Sequence, residues 1–146
     1  MAIFDVSAPE AEMLAPMIAA KVGSAVSPGG IQLGEPEVLV GHRNTAVTCA
    51  FRDGTGRPPR RLKYHRYELP RLFPQAVRHV RVAQIEIQEI LYRFMETFSI
   101  RFSADDFVIH SVVDNGEFKD VTLRPVEGSL KFVGEITFQC EIFIPD

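Results

Sequence analysis

The eleven residues Ser99-Ile-Arg-Phe-Ser-Ala-Asp-Asp-Phe-Val-Ile109 match Gly30-Ile-Gln-Leu-Gly-Glu-Pro-Glu-Val-Leu-Val40 without a gap, at an offset of 69. Ile31 meets Ile100, Leu33 meets Phe102, the acid Glu37 meets Asp106, and Val38-Leu-Val40 meets Phe107-Val-Ile109. The first copy reads as a strand interrupted at Gly34 and Pro36, since glycine weakens a strand and proline cannot donate to its ladder. Each copy follows a stretch of helical character, which makes the match a repeat of supersecondary structure rather than of strand composition alone.

Upstream of the first copy, Ser7-Ala-Pro-Glu10 has the Ser-x-x-Glu form of a capping box, with Pro9 placed for a first helical turn. Met13, Leu14, Met17, Ile18 and Val22 follow at three- and four-residue spacings and predict a helix over 8–22. Pro16 should kink or restart it. Gly23 and Ser27-Pro-Gly-Gly30 end the segment. Upstream of the second copy, Ile87, Ile90, Leu91, Phe94, Met95 and Phe98 predict a helix over 84–98.

Downstream, Thr45, Val47, Cys49 and Phe51 alternate on one strand face. Asp53-Gly-Thr-Gly56 signals a turn, and Pro58-Pro59 leads into a strand over 61–69. These stretches predict a hairpin with a long, mobile tip. Two further strands are expected near 119–126 and 133–144 across a turn at Gly128. The chain therefore reads as an α+β single domain, 1–146. Two helix-plus-antiparallel-strands pseudo-repeats, about 7–69 and 84–144, would pack into one core across an aperiodic connector, 70–83. Leu14, Met17, Ile18, Val47, Cys49, Phe51, Ile87, Leu91, Phe94, Phe107, Ile109, Leu123, Ile136 and Phe138 are the expected core.

A chain of 146 residues, 46% hydrophobic and 24% charged, has the composition of a globular domain that can bury a core. No apolar run approaches the roughly 20 residues of a membrane helix. The N-terminus lacks the basic and apolar regions of a signal peptide. The expectation is a protein made in the cytoplasm and used there or carried out in a larger assembly. Cys49 and Cys140 have no His or Cys at ligand spacing and read as thiols on buried strand faces.

No constellation for catalysis stands out. His42, His65, His79 and His110 lack helical pairing or a carboxylate at ligand spacing and read as surface or half-buried side chains. Asp105-Asp106 reads as a turn at the start of a strand rather than a metal or acid/base pair. The glycine-rich stretches lack the strand–loop–helix setting of a phosphate cradle. No enzyme, cofactor or metal is expected.

The charge is uneven. Residues 57–81 hold eight Lys/Arg against one acid, a charge of +7 in a chain of −3, and the remainder carries −10. Arg57, Arg60, Arg61, Lys63, Tyr64, Arg66, Tyr67 and Arg71 are the candidate binding residues. Arginine with tyrosine suits a protein-docking surface, and the alternative is a nucleic-acid-binding module that grips phosphates and stacks bases. The acids Asp105, Asp106, Asp114, Glu117 and Asp120 offer a counter-surface on an adjacent copy. Reversing Arg60, Arg61 and Arg66 should then abolish assembly without affecting stability.

The run Pro36-Glu-Val-Leu-Val-Gly-His-Arg-Asn-Thr-Ala-Val-Thr-Cys-Ala-Phe51, then Gly56, then Leu62-Lys-Tyr-His-Arg-Tyr-Glu-Leu69 resembles a small domain of virion structural proteins in giant and other large contractile-tailed bacteriophages. Asn44-Thr45, Val47-Thr48 and Tyr64, Arg66 and Leu69 occupy its pattern. So do Ala104-Asp-Asp-Phe107, Val121-Thr-Leu123 and Gly134-Glu-Ile-Thr-Phe138 in the second half. The likeness covers most of 11–144. It departs at Arg60-Arg-Leu62, where a small Gly-Ser-Val-like step would stand, and at the proline-rich basic tip. The resemblance implies an assembly component of a tail, baseplate or neck, without enzymatic activity. Its partners would be other virion proteins and copies of itself, with no membrane, and its location the virion after synthesis in the host cytoplasm.

Overall fold

A computed structural model describes residues 4–74 and 78–144. They open with a two-residue strand, β1 (Phe4–Asp5), whose partner lies almost a hundred residues on. The chain then builds one compact unit from Ala8–Arg66, and the segments on either side of it form a second. Both helices and strands are present throughout, and the fold class is α+β.

In the 8–66 unit, α1 (Glu10–Val22) runs through Pro16 without a break. The capping box does not form. Pro9 stands at the N-cap with no side-chain bond, and the Ser7 backbone N–H and hydroxyl both donate to Asp5 Oδ1 at 2.9 and 2.5 Å. At the other end Gly23, at φ 75°, takes the left-handed conformation and donates to the Ala19 carbonyl. Leu14, Ala15 and Ile18 are buried. Met17, expected in the core, is 42% exposed because it lies off that stripe.

The sheet of this unit is centred on β4 (Thr45–Phe51). One edge is the interrupted strand, whose pieces β2 (Ile31–Leu33) and β3 (Glu37–Val38) pair antiparallel with opposite ends of β4. Gly34 N–H donates to the Thr48 carbonyl at the break, 3.0 Å away, and a Cβ on Gly34 would meet that oxygen at 3.4 Å. The other edge is β5 (Arg60–Tyr64), with Val47 opposite Leu62 and Thr45 opposite Tyr64. Cross-strand partners share a face, so Val47, Cys49, Leu62 and Tyr64 are buried together.

In the second unit, β6 (Tyr67–Glu68) leads into a single turn, α2 (Leu69–Leu72), and then β7 (His79–Val82). The stretch expected as a connector thus supplies a strand, and Val80 and Val82 alternate inward from it. α3 (Ile87–Thr97) starts three residues later than expected. The Glu89 carboxylate turns back to accept the N–H groups of Ala83 and Gln84 at 2.6 and 3.1 Å. Next come β8 (Ile100–Arg101), a 3-10 turn at Ala104–Asp106, β9 (Phe107–Asn115), β10 (Phe118–Pro125), β11 (Phe132–Val133) and β12 (Ile136–Ile142).

The main sheet has the order β7-β12-β10-β9. Its last three strands are antiparallel, and β7 joins β12 in parallel. The register between β9 and β10 shifts at Thr122/Leu123, opposite His110, as in a β-bulge. Two short parallel ladders, β1 with β8 and β6 with β11, complete the unit.

The two repeats share the order helix, broken strand, central strand, returning strand. Val38 and its equivalent Phe107 both pair antiparallel with the central strand of their own meander. Their first pieces differ, because Ile31 pairs antiparallel with Phe51 while Ile100 pairs parallel with Phe4.

Phe73, which no periodicity flagged, is fully buried in the second unit. Its ring lies 4.7, 4.6 and 5.4 Å from those of Phe94, Phe102 and Phe138. Val6, Leu69, Leu91, Phe107, Val121, Leu123 and Ile136 extend the cluster. Ile87 and Phe51 are half-buried, and Ile109 is 37% exposed at the sheet edge, a second departure from the expected core. Phe73→Ala or Phe94→Ala should cost about 3–5 kcal/mol in chemical denaturation, and Ile109→Ala less than about 1 kcal/mol.

Both thiols are buried, as expected. Burial, with a smaller push from Asp120, raises the Cys140 thiol from 9.0 to about 12, and burial also raises Cys49. A folded-state value above the unfolded one gives stability that is whole below pH 9.0 and is lost as the pH climbs toward about 12. A thiol reagent at mildly alkaline pH should find neither cysteine in the native protein and both in denaturant.

Candidate docking surface

Alternation along β5 sorts the candidate residues. Leu62 and Tyr64 face the interior, while Arg61 and Lys63 face out and Arg60 is exposed at the strand start. Burial raises the Tyr64 hydroxyl to about 12 against the opposing charge of Arg66. It is a core residue, not a stacking platform.

Arg66 is also buried. Its Nε donates to Thr45 Oγ1 at 2.6 Å, and its backbone N–H donates to Asn44 Oδ1 at 2.8 Å. Asn44 Nδ2 returns a bond to the Arg66 carbonyl at 3.1 Å, and Thr45 Oγ1 donates to Asn44 Oδ1 at 2.7 Å. The Asn-Thr step is therefore a polar knot that fixes the end of β5 to the start of β4. Desolvation lowers the Arg66 guanidinium from its ordinary range, which reflects the cost of holding it there.

Arg57 is spent on the hairpin tip. It pairs with Asp53 at 3.0 Å, donates to Ser24 Oγ at 2.8 Å and lies over the Phe51 ring at 4.9 Å. The Thr55 hydroxyl, ahead of Arg57, holds the Asp53 carboxyl below its usual value. The tip read as mobile is thus cross-linked. Tyr67 and Arg71 belong to the other unit, where Tyr67 packs on Phe4 and Phe132 and Arg71 pairs with Glu68 at 2.9 Å. Within 57–66, Tyr64 and Arg66 are interior and do not join the outward cations.

Arg60, Arg61 and Lys63 remain outward. Arg61 is bonded to Glu37 at 3.1 Å; Arg60 and Lys63 make no ion pair with any described residue. Beside Lys63 the 8–66 unit has a depression of about 580 Å³. Met17, Leu62 and Tyr64 form its floor, and Lys21, Arg43, Lys63 and His65 stand around it. A second hollow of about 370 Å³ shares Arg43 and Lys63 and adds Leu39, Val40 and His42. Arg43 Nη1 donates to the Lys63 carbonyl at 2.9 Å and holds this rim in place. Among the described residues no carboxylate lines either hollow. An apolar floor inside a cationic rim is complementary in charge and polarity to an anionic surface that also presents apolar side chains.

Sequence reading missed Lys21 and Arg43, which lie outside the basic run, and assigned Met17 to the core. The expected acidic counter-surface is partly occupied. Asp106 accepts a bond from the buried Lys131 ammonium at 2.5 Å, Asp114 pairs with Lys119 at 3.1 Å, and Asp120 accepts from Asn115. The bond from Lys119 is the main cause holding Asp114 below its usual range. Among the described residues no group of three or more His, Cys, Asp or Glu is placed to hold a metal.

Residues 6–146 match a family described as "Family of unknown function (DUF7941)". The chain belongs to this family. No curated protein and no solved structure matches it. The family spans both compact units, so the knot at Asn44-Thr45 and the basic hollow both lie within the shared region.

The knot and the rim predict opposite phenotypes, which corrects the expectation that all three arginines are reversible without cost. Arg66→Met should cost about 1–3 kcal/mol in denaturant unfolding, because Thr45 loses its buried donor. Arg60→Glu should change stability by less than about 0.5 kcal/mol.

Proposed function

We propose that this protein is a structural component of a phage virion, an adaptor of the tail, baseplate or neck that acts by protein–protein assembly and not as an enzyme. One observation carries the assembly reading. The unit Ala8–Arg66 holds eight basic and five acidic residues, a charge of +3, while the rest of the chain holds eight basic and fourteen acidic, a charge of −6. A chain divided this way is electrostatically complementary to its own neighbours in an array. The likeness to virion structural domains supplies the setting, and the partners are other virion proteins and further copies.

The nucleic-acid alternative is the weaker reading on physical grounds. Gripping single strands needs aromatic faces beside the basic groove. Tyr64 is buried, and Tyr67 packs its ring against Phe4 and Phe132. The remaining exposed cations would give phosphate contacts alone.

Particles of the phage that encodes the chain, washed at high salt and analysed by mass spectrometry, should contain it at a fixed copy number per particle. Its absence from washed particles, with the chain found only in the lysate supernatant, would overturn the assignment.

A further inference from the structure

The geometry points to a specific contact within such an array: the tip of the β9–β10 hairpin of one copy docks into the basic hollow beside β5 of the next. This rests on the assembly reading and names the partner of the same site. The hollow needs an occupant with negative charge outside and apolar side chains inside. Its floor includes Met17, which is 42% exposed, and its rim includes Lys21 and Lys63, which make no ion pair with described residues.

The hairpin has that composition. It turns at Gly116-Glu117 between β9 and β10, with Asn115 opposite Phe118. Gly116, at φ 78°, takes a conformation open to glycine and costly for other residues. Val112 and Val113 remain 47% and 52% exposed next to the turn. Asp114 follows them and is paired with Lys119 at 3.1 Å, and Glu117, in the turn itself, makes no ion pair with any described residue.

Among the described residues β9 is moreover an edge strand whose ladder partner is β10 alone. Exposed valines on such an edge invite pairing with another chain. The acids around the turn direct that pairing toward a cationic surface and away from a like edge, since two copies of the tip repel each other. A second copy of the chain satisfies both demands, because every copy carries one hollow and one hairpin. The contact joins two different surfaces, so it is heterologous and propagates into a ring or an open row. The interface is small and charge-rimmed, so its affinity should be modest and salt-sensitive.

The test uses the full chain in sedimentation velocity across protein concentration and salt. The hollow variant is Lys21→Glu with Lys63→Glu, and the hairpin variant is Val113→Lys with Glu117→Lys. All four side chains are exposed or unpaired, and melting curves matching the unmodified protein establish that each variant folds. The unmodified chain should grow in mass with concentration and dissociate with salt. Each variant alone should need at least about tenfold more protein to associate. Mixed together, the two variants should form a one-to-one dimer and nothing larger, because one intact hollow and one intact hairpin remain.

Assembly of the hairpin variant like the unmodified chain, with loss only in the hollow variant, would overturn the contact while leaving the adaptor reading standing. An unmodified chain that stays monomeric at every concentration would also overturn it. So would a hollow variant that assembles normally but loses salt-sensitive affinity for DNA or RNA. Failure of the virion assignment itself is read separately, from the composition of the washed particles.

Discussion

The Lys131 ammonium is the interaction on which the chain's unusual layout depends. It is 2% exposed and donates to the Val6 carbonyl at 3.1 Å and to Asp106 Oδ2 at 2.5 Å, above the Phe132 ring. A buried ammonium is costly unless its protons are matched. Here the matching fixes Val6, just past the first strand, against a residue 125 positions away. The backbone carbonyl of the same lysine accepts the Tyr67 N–H at 2.8 Å. The chain thus leaves this unit after Val6 and returns at Tyr67 on two bonds to one residue. Everything between is an insertion whose two ends are held together.

That arrangement explains how 59 residues can form a compact unit of their own without breaking the second one. Insertions are tolerated where entry and exit points are close. Inside the insertion the Asn44-Thr45-Arg66 knot fixes the last residues before the exit, so the outgoing strand is held by side-chain bonds at the edge of the sheet. The outward face of β5 carries cations, of which Arg61 is paired with Glu37, and among the described residues no carboxylate lines the hollow beside it. Charge separation follows the unit boundary, which ties an electrostatic property to a topological one.

Several features were legible in the sequence because they depend on neighbours along the chain. The helices at Glu10–Val22 and Ile87–Thr97 follow from apolar spacing, and the broken strand follows from Gly34 and Pro36. The alternation of Thr45–Phe51 gave β4 and the burial of Val47 and Cys49. The α+β class and the order of elements in each repeat were readable from the same patterns. The basic character of β5 was readable too, but a list of arginines and tyrosines could not separate Lys63, which faces outward, from Arg66 and Tyr64, which face inward.

What the sequence determined by itself was local: periodicity, turn chemistry and the density of charge along the chain. Tertiary structure decided the rest. Phe73 and β7 lie in a proline-interrupted stretch with no period, and their burial comes from rings and a strand contributed by residues far away. Ser7 satisfies Asp5 instead of capping a helix, and Met17 and Ile109 stay exposed because nothing described covers their side of the element. Lys21 and Arg43 reach the same hollow as Lys63 only once α1, the loop before β4, and β5 are brought together. A binding surface is a property of distances in space, and spacing along a chain sets those distances only within a single element.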